Sequence, residues 1–200
     1  MSGRSRFGKY GEHKRIGRLR QAGAGRAPGA VFPGRLEDRR GRASGPAARI
    51  TLRPAAAPDA DFIRELSETA FSRYGPYHRI IPGWCNSERT ATVVAVAGKK
   101  AVGFAMVSLP VHLWPFPKTC ELLAIAVAPA NRRRGTAGLL LEEIVHMAEA
   151  SGARALVLHT AVGNRAAREL FAKHGFRPLE VKKRFYPRGQ DALFMCRVPG

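Results

Sequence analysis

The chain has 200 residues, with 34 Lys and Arg against 15 Asp and Glu and a formal net charge of +19. That length suits one domain with a proper core and a tail. No apolar run approaches the roughly 20 residues a membrane span needs, and the N-terminus lacks the hydrophobic segment of a secretory signal. Cys85, Cys120 and Cys196 are widely spaced without a CxxC pair, and the six histidines show no ligand spacing, so a cytoplasmic protein with reduced, buried thiols and no metal is expected.

Residues 1–49 hold 13 Lys and Arg and 3 Asp and Glu, a net +10; residues 50–200 hold 21 and 12, a net +9. The first part is rich in Gly and Arg and almost lacks apolar periodicity, so disorder is expected there. It reads as a cationic arm making weak, sequence-independent nucleic-acid contacts, as an Arg-rich targeting peptide, or as a solvated tail or an extension upstream of the true start. Residues 50–200 form the domain.

A short strand opens it at Ile50 to Arg53, and Asp59 is placed to help cap a helix. Phe62, Ile63, Leu66, Ala70 and Phe71 share that helix's apolar face. Tyr74-Gly-Pro-Tyr-His78 ends it, and 79–85 is a second short helix or a loop. Strands at Thr92 to Ala97 and Ala101 to Ser108 flank Gly98-Lys-Lys as a hairpin. Pro110 to Lys118 reads as a loop carrying Trp114 and Phe116, and Thr119 to Ala128 as the fourth strand, ended by Pro129.

After that strand come Arg132, Arg133, Arg134, Gly135, Thr136, Ala137 and Gly138. Then follows a helical run with Leu140, Ile144, Met147 and Ser151 at helical spacing and Glu142, Glu143 and Glu149 on other faces. The first amides of a helix lack partners within it and carry the positive end of its dipole, so a pyrophosphate fits there. Gly135 and Ala137 leave room for its oxygens. A fifth strand is expected at Ala155 to Thr160. Asn164 opens a helix with Ala167, Leu170, Phe171 and His174 on one face, Gly175 stops it, and Arg177 to Phe185 with Ala192 to Val198 make a closing hairpin.

Arg132-x-x-Gly135-x-Ala137 after Val127-x-Pro129 resembles the acetyl-CoA signature of the GNAT superfamily of N-acetyltransferases. Asn164-x-x-Ala-x-x-Leu-Phe-x-x-x-Gly-Phe176 resembles its second signature. The end, Arg-Phe-Tyr-Pro to Asp-Ala-Leu-Phe-Met, is similar to bacterial enzymes that acetylate a ribosomal-protein N-terminus. The resemblance covers residues 50–200. It implies an α/β (α+β) GNAT fold: a mixed, mostly antiparallel sheet of about six or seven strands flanked by about four helices, with the fourth and fifth strands splayed. It implies acetyl-CoA as co-substrate and an amine acceptor, a protein N-terminus or a small molecule, in a monomer or homodimer without membrane attachment. Backbone contacts to the cofactor arm would come from Ile125, Ala126 and Val127. The amides and arginines of 132–138 would take the pyrophosphate, Asn164 would hold the pantetheine arm, and Tyr74, Tyr77, His78 and Trp84 would fall at the acceptor pocket.

The transfer needs a base for the attacking amine. Glu121, six residues before Val127, stands where many members carry a catalytic glutamate. A lone carboxylate in an apolar strand is costly to bury unpaired, so Glu121 is either kept for chemistry or an edge carboxylate paired with Arg or Lys. The ribosomal-protein group instead places its base five residues before the Asn, where this chain has His159. The usual general acid, seven residues after the Asn, is here Phe171, which cannot donate a proton and is expected to pack against the cofactor. Tyr186 of the hairpin is a candidate replacement, although a thiolate leaves with little help. With both usual groups changed, the alternative is a catalytically weak acyl-CoA-binding module.

Overall fold

A computed structural model describes residues 49–85, 87–113 and 116–198. The expectations for residues 1–48 and for Trp114 lie outside the described residues. The strands are β1 (Ile50–Pro54), β2 (Thr90–Ala97), β3 (Lys100–Ser108), β4 (Val111–Leu113), β5 (Phe116–Val127), β6 (Ala155–Ala161), β7 (Arg177–Lys182) and β8 (Ala192–Arg197). The helices are α1 (Ala60–Phe71), α2 (Tyr77–Cys85), α3 (Thr136–Ala150) and α4 (Arg165–Lys173). One sheet runs β1-β2-β3-β5-β6-β8-β7, with β4 paired to β5 off this path. Every described pairing is antiparallel except β5 with β6.

Period-two alternation along the central strands builds a core on each face. Val93, Ala95, Val102, Ala105 and Val107 join Leu140, Leu141 and Ile144 of α3 and Phe171 of α4. On the other face Val94, Val96, Phe104 and Met106 meet Ile63 and Leu66 of α1 and Ile81 of α2. Gly103 lets β3 and β5 approach: a Cβ there would lie 2.9 Å from the Ala126 carbonyl oxygen and 3.2 Å from Leu140 Cδ1.

Two readings need correction. Pro110 to Lys118 is not a loop, because 111–113 and the start of β5 pair with each other; the prolines and aromatics there hid a hairpin whose hydrogen bonds are made locally. Glu143, read as lying off the apolar stripe of α3, is buried. Asp59 also acts differently from a simple helix cap. Its buried carboxylate accepts two bonds from Arg53, at 2.6 and 2.8 Å, and one from the Ala56 amide at 2.8 Å. It thereby ties β1 to the turn before α1.

The site is made by how β5 leaves its neighbours. Val107 pairs with Leu122 but Met106 pairs with Ala124, so Leu123 is an extra residue, a β-bulge. The bulge inverts the alternation. Leu122 belongs to the α3 face, Leu123 and Ala124 both belong to the α1–α2 face, and Ile125 returns to the first. At the same point the β5–β6 ladder stops, its last pair being Leu122 with Leu158. β5 continues beside β3 and β6 beside β8, so a groove opens between the fourth and fifth strands of the main path.

Candidate active site

A cavity of about 140 Å³ occupies this opening. One side of its wall is cut from the diverging strands and α4: Leu122 to Ile125, Leu158 to Ala161, Asn164, Ala167 and Phe171. The other side is aromatic, with Phe71, Tyr74, Tyr77, Trp84, Phe185 and Tyr186. Glu121 and His159 line it as well. His78 does not, and its Nδ1 is buried without a hydrogen-bond partner among the described residues.

The two competing base candidates are one unit. Glu121 is opposite Val157 in the parallel ladder. His159, two residues further on β6, shares that face, and its Nδ1 lies 3.0 Å from Glu121 Oε1. A carboxylate only accepts, so His159 donates from Nδ1. Its ring is held between Phe185, at 4.4 Å and 19°, and Phe194, at 4.8 Å and 24°. Phe194 is its partner across the β6–β8 ladder. The Glu121 amide donates to Ser108 Oγ at 2.9 Å, which secures the strand at the carboxylate. Glu121's side chain is 22% accessible and that of His159 12%, so the carboxylate is the more open of the two.

Tyr186 faces the same space. Its ring lies 4.9 Å from that of Tyr74 and 6.3 Å from that of Tyr77. Burial, with the nearby charge of Glu121 and the two other phenols adding to it, pushes the Tyr186 hydroxyl well above its ordinary value, so it remains a neutral donor. Burial also raises Tyr77. The loop carrying Tyr186 is latched to the α1–α2 connection. Gln190 Nε2 donates to the Arg73 carbonyl at 2.6 Å, and the Arg188 amide to the Tyr74 carbonyl at 3.3 Å.

At the far end of the groove, Arg133 and Gly135 take left-handed φ values of 58° and 81°, and α3 starts with Gly135 as its N-cap and no side-chain cap. The first amide to bond within the helix is that of Leu139, to Gly135 O at 3.1 Å. The amides of Thr136, Ala137 and Gly138 come before it, without an intrahelical acceptor. Arg133 and Arg134 are exposed. Arg132, exposed as well, turns back, donating from Nε to the Val127 carbonyl at 3.0 Å, and so fixes the turn to the end of β5. Ile125, Ala126 and Val127 pair with Ala105, Phe104 and Gly103, and their edge away from β3 has no strand partner among the described residues. Asn164 caps α4, its Oδ1 accepting from Ala167 N at 3.3 Å, and the buried Phe171 packs edge-on against Phe176 at 5.8 Å.

Sequence reasoning missed Phe185, Phe194 and Ser108. A stacking partner across β6–β8 and a hydroxyl acceptor supplied by β3 depend on register, which no local pattern encodes. Among the described residues, no group of three or more His, Cys, Asp or Glu could hold a metal, and no helix is long and apolar enough to cross a membrane.

Comparison with known proteins agrees with this arrangement. The family model described as Acetyltransferase (GNAT) family matches residues 60–176. An N-alpha-acetyltransferase of Saccharolobus solfataricus is 29% identical over 158 residues, 74% of this chain and 92% of that protein. The ribosomal-protein-alanine N-acetyltransferase structure from Brucella melitensis superposes with a TM-score of 0.63 at 22% identity, covering 74% of this chain and 99% of that one. The structure of a Salmonella typhimurium acetyltransferase with its cofactor acetyl-CoA gives 0.65 at 20%, covering 74% and 93%. The splayed sheet, the glycine turn before α3 and the matched 60–176 segment place this chain in the GNAT acetyltransferase family, an acyltransferase of a family that uses acetyl-CoA.

Proposed function

We propose that the protein transfers acetyl from acetyl-CoA to the α-amino group of a polypeptide, with Glu121 as the base. The observation that carries this reading is the His159–Glu121 pair, which lines one cavity together with the splayed strands and the aromatic wall. The relatives support the acceptor class, since the archaeal protein is an N-alpha-acetyltransferase and the Brucella structure a ribosomal-protein-alanine one.

Acetyl-CoA would lie between β5 and β6. The amides of 136–138, with the exposed Arg133 and Arg134, would take the pyrophosphate at the start of α3, where unpaired N–H groups and the helix dipole favour anions. The free edge of Ile125 to Val127 offers backbone groups to the pantetheine and an N–H to the thioester oxygen as negative charge grows there. Asn164 and Phe171 close the groove from α4.

The acceptor amine enters from the aromatic side. Glu121 takes one proton from it, directly or through a water, as the N–C bond forms. His159 does not need to touch the amine: its Nδ1–H holds the carboxylate in place, and its ring is fixed by Phe185 and Phe194. The C–S bond then breaks; the neutral Tyr186 hydroxyl can donate a hydrogen bond to the thiolate, which takes its proton from solvent.

CoA release measured with peptides, and mass analysis of the peptide product, test the reading. Expected is acetyl on the α-amine, with turnover reduced about 10²- to 10⁴-fold in Glu121→Gln. Unchanged turnover in that variant removes Glu121 as base. Acetyl-CoA binding without turnover on any amine leaves the acyl-CoA-binding module instead.

A further inference from the structure

The acceptor mouth is strongly cationic on the outside and anionic within. Two segments frame it, 72–79 between and into α1–α2 and 183–191 between β7 and β8, and they are latched together through Gln190, Arg73, Arg188 and Tyr74. They contribute Arg73, Arg79, Lys183, Arg184 and Arg188 against one carboxylate, Asp191. That carboxylate is already engaged, accepting from Lys183 Nζ at 2.8 Å and from the Arg184 amide at 2.9 Å. Arg73, Arg79, Arg184 and Arg188 are all exposed. None of the four has a carboxylate partner among the described residues. Arg73 lies over the face of Tyr74, 4.9 Å from its centroid, and Tyr74 lines the cavity. Glu121 supplies the negative charge inside.

An acceptor matched to this field has a positive front and a negative continuation. Its ammonium group is drawn toward Glu121 and gives up one proton to solvent before the attack, and carboxylates a few residues further on lie against the guanidinium rim, since an extended chain advances about 3.3–3.6 Å per residue. Complementary potentials of this kind raise the encounter rate, fix register and repel the wrong partner. Resting on the proposed α-amine acetylation, we infer that the protein selects polypeptides whose N-terminal residue is followed within the first few positions by Asp or Glu, and that Arg184 and Arg188, with Arg73, determine this choice.

The test uses the full chain and three acceptor peptides with the same first two residues, followed by three Glu, three Gln or three Lys. Expected is a KM for the Glu peptide about tenfold below that for the Gln peptide, at similar kcat, with the Lys peptide poorest. The difference should shrink as salt is raised from 0.05 to 0.5 M, because the Debye length falls to a few ångströms. Arg184→Gln with Arg188→Gln should remove most of the preference while leaving the Gln-peptide kinetics and the melting temperature unchanged. Equal KM values for the three peptides, at low salt, overturn the inference alone. Turnover on none overturns the acetylation reading and this one with it. An RNA oligonucleotide that competes with the Gln peptide, and stops competing in the double variant, assigns the rim to nucleic acid and also overturns it.

Discussion

Glu121 and His159 divide one task between them, and substitution separates their parts. In the proposed reaction, removing the carboxylate removes the proton acceptor. Removing the imidazole leaves the acceptor but frees its geometry. His159→Gln is therefore expected to lower kcat by about tenfold, less than Glu121→Gln, and to move the acid limb of the kcat/KM profile, which a simple packing defect would not do. Parallel pH profiles of the two variants check this. Tyr186 allows a sharper test because burial raises its pKa in the fold. The folded state then holds the phenolic proton where the unfolded chain, titrating near 10, has lost it. That contribution to stability is complete below about pH 10 and declines as the pH climbs toward the raised folded value. Denaturation between pH 9 and 11 should show wild type losing stability more steeply than Tyr186→Phe. Both candidates were legible as residues in the sequence: Glu121 as a carboxylate in an apolar strand, His159 by its distance from Asn164. Their contact was not, because it depends on the parallel register of β5 and β6.

At the scale of elements, the bulge at Leu123 and the close approach at Gly103 set where β5 parts from β6. The sequence gives strand, turn and helix around Arg132 to Gly138 plainly, because Gly135, Pro129 and the Leu140–Ile144–Met147 spacing are local signals. It conceals the bulge, whose evidence is a change of face between Leu122 and Ala124 visible only once both cores are known. It conceals β4 for a related reason, since among the described residues that short strand pairs only with the start of β5, in a stretch rich in proline and aromatics. Gly103→Ala would drive a Cβ to 2.9 Å from the Ala126 carbonyl, a backbone atom with little freedom to move. A loss of about 1–3 kcal/mol is expected from the overpacking, together with weaker acetyl-CoA binding, because the displaced segment is the free edge of the groove. Chemical denaturation and titration with acetyl-CoA measure the two effects. Asp59→Ala probes a distant element: it leaves Arg53 and the Ala56 amide without their acceptor and is expected to cost about 1–3 kcal/mol with catalysis intact. The Arg53 hydrogen bond holds the Asp59 carboxyl below its ordinary value. Its stabilisation is thus present above about pH 4 and lost as the pH falls through the depressed folded value, a loss the variant should not share.

The whole molecule joins two half-sites across one sheet, and ligand binding should reveal which parts are coupled. The helical end at α3 is read as taking phosphate charge, and the aromatic end between α1–α2 and β7–β8 as taking the amine. The β5–β6 opening is common to both. A ligand that binds only the native state stabilises it by RT ln(1 + [L]/Kd), about 2.7 kcal/mol at a hundredfold excess over Kd. For a domain of this size that is a rise of roughly 5–11 °C in melting temperature. Acetyl-CoA should produce this rise in wild type. Reversing Arg133 and Arg134 to Glu should lower it by weakening phosphate attraction, without changing the melting temperature of the unliganded protein, since both side chains are exposed. Arg132→Ala should act differently. Its guanidinium holds the Val127 carbonyl, so its loss loosens the turn and lowers both the unliganded melting temperature and the shift. Arg184→Gln with Arg188→Gln, at the opposite end, should leave the acetyl-CoA shift whole. If reversing Arg133 and Arg134 leaves the shift at its wild-type size, the pyrophosphate does not lie at the start of α3, and the assignment of the groove to acetyl-CoA in that orientation falls.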